Sequence, residues 1–157
     1  MLQRKQTVFL LLAAVLGGLT FLFPVDTFTR GDQQFIFRTY GIYTGAGIPM
    51  ADATLKVPFA AVMGVIIALL VAVAFMYRNR MRQLRLARMA NLLLLAMVVF
   101  LFLHDNSIRA YLEQGGTVER SIGASAVLPV LMVVLVFLAE RGIRKDEELV
   151  KSVDRLR

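Results

Sequence analysis

The apolar residues of this chain come in unbroken blocks rather than at the spacing of one helix or strand face. No charged residue occurs from Thr7 to Phe23, from Val57 to Met76 or from Ile122 to Leu138. A further block begins within Gln83 to Met89 and runs to Leu103. Blocks of this kind offer no polar face to water, unlike the periodic patterns of a soluble domain. A helix needs roughly 17 to 25 apolar residues to cross a hydrocarbon core about 30 Å thick. The expected fold is therefore an all-α membrane protein, a four-transmembrane-helix bundle forming a single integral membrane domain over residues 1–157. Its spans are expected at about 7–23, 57–76, 85–103 and 122–139, with outer loops at 24–56 and 104–121 and a tail at 140–157.

Details within the blocks refine this expectation. The first ends Thr20-Phe21-Leu22-Phe23-Pro24, a poor signal-peptidase site, so the first helix is expected to remain uncleaved. Pro58 sits near the first turn of the second, where proline is tolerated. In the third, Arg85 and Arg88 are expected to snorkel to the headgroups. Pro129 lies inside the fourth and predicts a bend there.

The net charge of +7 could suggest nucleic acid, but the positions of the charges argue for topology. Of 18 lysines and arginines, thirteen fall before the first block, between the second and third, or after the fourth. Arg78, Arg80, Arg82, Arg85 and Arg88 form the densest group, suited to anionic headgroups, and only five cations fall in the other two loops. The positive-inside rule then places both termini in the cytoplasm. The expected partners are membrane lipids and a protein, not nucleic acid.

Small residues suggest how the helices meet. Ala60, Gly64, Ala68 and Ala72 recur every fourth position, as do Ala13 with Gly17 and Ala14 with Gly18. In lipid, close backbone approach at small residues drives helix association, so the first two spans are expected to pack along these stripes, with a homodimer interface as the alternative. No Asp, Glu, Lys, Arg or His is expected at mid-depth, which argues against ion-coupled transport or redox chemistry.

The outer segments carry two features. Thr27-Phe28-Thr29 and Gln33 to Tyr43, separated by Gly31-Asp32, read as a small β-hairpin in the first outer loop, followed by a turn-rich stretch to Pro49. Phe35, Phe37, Tyr40 and Tyr43 fit a bundle cap, an interfacial belt or a partner surface. In the second outer loop a short helix is expected from Ser107 to Glu113, then a break at Gly115-Gly116. His104, Asp105 and Ser107 are close in sequence, but triads are made by geometry that sequence neighbours rarely provide. With no cysteine and a single histidine, thiol catalysis is excluded, and neither a metal site nor a cofactor is expected.

The tail, RKDEELVKSVDRLR, reads as an amphipathic helix whose Leu149, Val150, Val153 and Leu156 share one face. That stripe is a candidate docking surface for a protein partner.

The opening LQRKQTVFLLLAA, the segment YRNRMRQLRLARMANLLLL and the tail together resemble domain-of-unknown-function family 4293. The resemblance implies a small four-span integral membrane protein of bacteroidete bacteria, located in the bacterial inner (cytoplasmic) membrane. It implies no activity and no catalytic residue. The function expected is a non-enzymatic accessory or structural subunit of a larger inner-membrane assembly. A binding or transport module for a lipid or other apolar molecule, held near Pro129, is the alternative.

Overall fold

The first apolar block is helical only to Leu19, because the chain tightens into a turn at Thr20. There the Thr20 N–H and hydroxyl both donate to the Gly17 carbonyl, at 3.2 and 2.7 Å. The computed structural model describes residues 5–50, 57–76 and 79–154. Its order is α1 (Lys5–Leu19), β1 (Asp26–Arg30), β2 (Gln33–Arg38), β3 (Gly41–Thr44), α2 (Phe59–Phe75), α3 (Arg80–Glu113), β4 (Glu119–Ile122) and α4 (Ala124–Asp154).

This architecture corrects the expectation of a four-transmembrane bundle carrying only a small hairpin. Four strands form one antiparallel sheet in the order β3-β2-β1-β4. Of the four helices, α3 and α4 are long and apolar enough to cross a membrane. The other two run 15 and 17 residues. At 1.5 Å per residue they reach only about 22 and 26 Å. The most apolar 18-residue windows of α3 and α4 are just 28% and 33% buried. Core helices of a soluble protein would be mostly covered, so these two behave as helices with an apolar surface to place elsewhere. Val65, Phe75, Leu92, Val99, Phe100, Val134 and Phe137 are all exposed.

Helix α1 packs on α2 and α4, and α3 packs on the same two. At one end Asp146 of α4 ties the helices together: its Oδ2 accepts from Gln6 Nε2 at 2.9 Å, and its carbonyl accepts from Arg80 Nη1 at 3.1 Å. The turn between α2 and α3 is closed by Gln83, whose buried Nε2 donates to the Val73 carbonyl at 2.9 Å. Asn79 caps α3 by accepting from the Arg82 N–H. At the other end the Ser125 hydroxyl reaches the Thr20 and Phe23 carbonyls. Helix α3 runs unbroken past Leu103, so the short helix expected at Ser107 to Glu113 is its last turns. Ile108 and Leu112 are buried there, and Arg30 Nη1 of β1 donates to the Leu112 carbonyl at 3.3 Å.

The sheet follows the alternation of its strands. Asp26, Phe28, Phe35, Phe37 and Ile42 share the inner face through the registers Phe28↔Phe35, Asp26↔Phe37 and Phe37↔Ile42, and all five are buried. Gly31 (φ +57°) opens the two-residue turn between β1 and β2, and a positive φ there is the II′ requirement that glycine meets at no steric cost. The expected long strand from Gln33 to Tyr43 is instead two strands, broken at Thr39-Tyr40. A Tyr43–Pro49 bridge then folds the following stretch back onto β3.

Candidate functional site

Strand β4 brings a cation to a place where two acids are already buried. Asp26 opens β1, and Arg120 lies diagonal to it on the inner face, because Phe28 pairs with Arg120 and Asp26 with Ile122. Asp105, on the part of α3 beyond Leu103, reaches the same point. A single guanidinium nitrogen, Arg120 Nη2, lies 2.6 Å from Asp26 Oδ2 and 2.7 Å from Asp105 Oδ2. Arg120 Nε also donates to Asp26 Oδ2 at 2.7 Å. The Asp26 and Asp105 side chains are 0% and 1% exposed, that of Arg120 23%. The remaining Asp26 oxygen accepts from the Gly123 N–H at 3.2 Å.

The electrostatics follow from the count of charges. Two carboxylates facing one guanidinium leave an excess negative charge in a buried place, which is costly. Burial, then the hydrogen bond and like charge of Asp26, raise the Asp105 carboxyl from 3.8 to about 7, against the pull of Arg120 and Arg109. Protonation of Asp105 therefore neutralises the cluster. Chemically, the arrangement is a clamp that sheds its excess charge by holding a proton on Asp105, joining the start of the sheet, its last strand and the C-terminal end of α3.

Beside it, the His104 ring lies between Phe37 and Phe59, at centroid distances of 5.7 and 5.6 Å. Sheet, α3 and the first turn of α2 meet there. Of the residues weighed as a sequence-local triad, His104 and Asp105 thus face the sheet, whereas Ser107 donates back to the Leu103 carbonyl at 2.9 Å and is exposed.

The other candidate residues are placed as follows. Ala13 and Gly17 are buried, and a Cβ on Gly17 would lie 2.8 Å from Ile67 and 2.9 Å from Met132, so α1, α2 and α4 meet closely at that glycine. Gly18 faces outward with nothing within 4 Å of a built Cβ. In α2 the face turned to neighbouring helices is Phe59, Met63, Ile66, Leu70 and Val73. Ala60 is half-buried, while Gly64, Ala68 and Ala72 are exposed, so the helix contact runs beside that stripe. Pro129 is buried in the second turn of α4, which continues through it. Arg80 is half-buried on its bond to Asp146, while Arg82, Arg85 and Arg88 are exposed at the start of α3; Arg78 lies outside the described residues. Helix α4 carries Leu149, Val150 and Val153, whose side chains lie outside the described residues, as does all of Leu156.

A family model described as a domain of unknown function, DUF4293, matches residues 2–156. The chain belongs to that family. The match spans all four helices and the sheet, so the Asp26–Arg120–Asp105 clamp lies wholly within the DUF4293 region. No curated protein matches the chain.

Proposed function

We propose that this DUF4293 protein is a non-enzymatic, multi-pass protein of the bacterial inner membrane, with both termini cytoplasmic, that serves as an accessory or structural subunit of a larger assembly. The observation that carries the reading is the projection of α4. Asp146 is level with Gln6 and Arg80, so the helix from Glu147 to Asp154 extends past the start of α1 and of α3. Eight further residues make a rod of about 12 Å. The cations of α3, from Arg80 to Arg88, gather at this same end, which favours a cytoplasmic location for it. The clamped sheet is at the opposite end, and α4 links the two without a break.

A rigid outer platform joined to an inner docking helix suits a scaffold that holds partners in register. Native mass spectrometry of the protein extracted in mild detergent from its own membrane tests the role. The expected result is a stoichiometric protein partner that disappears when the chain is cut after Asp146. Repeated isolation of the full chain alone or as a homodimer would contradict it.

A further inference from the structure

Between α3 and α4, at the end that carries Arg80 and Asp146, a cleft of about 600 Å³ opens to the surface. Arg88 from α3 and Arg141, Arg144 and Lys145 from α4 line it. Leu84, largely buried, lies among these cations, and Phe137 supplies the apolar wall on the side away from Arg80 and Asp146. Phe137 is 56% exposed and continues into Val134 and Leu138, which are also exposed on α4. Two acids share the cleft. Glu148 is engaged by Arg144 through Nε at 3.0 Å. Glu140 is half-buried. Four cations against two acids leave the cleft positive, and an apolar wall under a basic rim matches a lipid better than a free anion.

We propose that this cleft seats the phosphate headgroup of an anionic phospholipid from the cytoplasmic leaflet, with an acyl chain running down over Phe137. The cations hold the phosphate, and the exposed side chains of α4 supply the surface that a hydrated inorganic anion would leave uncovered. The site rests on the membrane disposition proposed above and is independent of the assembly role. It also lies at the opposite end of α4 from Pro129.

The test uses the full chain in phosphatidylcholine nanodiscs doped with phosphatidylglycerol, with retained lipid measured by native mass spectrometry. An R88Q/R141Q pair is compared with R82Q/R85Q, an equal charge change on exposed arginines that do not line the cleft. The first pair removes direct phosphate contacts and is expected to weaken phosphatidylglycerol retention about tenfold or more; the second removes only the general attraction of basic residues for anionic headgroups and is expected to weaken it by roughly a third of that or less. Equal losses from both pairs, or none from either, would overturn the site. A thermal shift of the unmutated protein keeps the test valid if the cleft pair misfolds. Phosphatidylglycerol is expected to raise the melting temperature, and inorganic phosphate is not; stabilisation by inorganic phosphate alone to the same degree, or no stabilisation by the lipid, would overturn the proposal. Loss of the assembly partner would leave these outcomes unchanged.

Discussion

Replacing Arg120 by alanine is expected to destabilise the protein by about 3–5 kcal/mol, the range for removing one partner of a buried ion pair. Arg120 is the shared counter-charge of Asp26 and Asp105, both essentially inaccessible to solvent. Without it, two buried carboxyls face each other beneath the sheet, and β4 loses its side-chain hold on β1. Thermal unfolding in detergent near pH 7.5 measures the loss; a melting temperature equal to the unmutated protein's would refute the clamp. The pH dependence has a defined sign. Asp105 keeps its proton up to about 7 in the folded protein, against 3.8 when unfolded, so its contribution is complete below about pH 4 and is lost as the pH rises through 7. Stability from this group therefore falls between about pH 4 and pH 7. Asp105→Asn, which cannot ionise, is expected to flatten that slope, and the Arg120→Ala defect is expected to be smaller at pH 5 than at pH 8.

Gly123→Ala is the second large effect. Gly123 joins β4 to α4 at the point where the chain crosses the Pro24–Val25 backbone, and its N–H donates to the Val25 carbonyl at 2.8 Å as well as to Asp26. A Cβ there would be driven into the Pro24 carbonyl oxygen, 2.8 Å from its carbon and 2.9 Å from the Val25 oxygen. All three neighbours are backbone, so no rotamer change relieves the clash. Overpacking of this kind costs about 1–3 kcal/mol, and here the upper end is expected because Asp26 would be displaced with the strand. Alanine at Gly18 or Gly64, where a Cβ meets nothing within 4 Å, is the control and is expected to leave the melting temperature within about 2 °C. Equal behaviour at all three glycines would remove Gly123 from the architecture of the clamp.

These two positions also mark where sequence reading stops. The apolar blocks locate all four helices, and Gly31-Asp32 between two Thr/Phe-rich runs locates the first hairpin, because both are local signals. Strand β4 is not local: Glu-Arg-Ser-Ile has no apolar alternation, and it forms only by pairing with β1 some 90 residues earlier. The clamp shares that invisibility, since Asp26, Asp105 and Arg120 come from three separate segments. The sequence hint is an acid, Asp105, two residues after the end of an apolar run. The turn at Thr39-Tyr40 lacks Gly, Pro, Asn or Asp until Gly41, so two strands read as one. The first helix ends earlier than its apolar block for a related reason. Phe21 to Phe23 are as apolar as the helix before them, and the turns in which Thr20, Phe21 and Leu22 each bond three residues back end it before Pro24. Finally, α2 is apolar on every face, so its small-residue stripe gave a direction that periodicity could not check. Larger side chains, Phe59, Met63 and Leu70, fill the interior instead.

The assembly role and the lipid site both depend on which end of the helices faces the cytoplasm, and the absence of cysteine makes that directly measurable. Single cysteines are placed at Gln33, exposed on the sheet, and at Glu148, exposed on α4. Both are then exposed to a membrane-impermeant maleimide in spheroplasts, before and after lysis. The expected result is labelling of Gln33→Cys in intact spheroplasts and of Glu148→Cys only after lysis. Labelling of Glu148→Cys in intact cells, or of both positions only after lysis, would contradict a membrane protein with its sheet outside and its docking helix within.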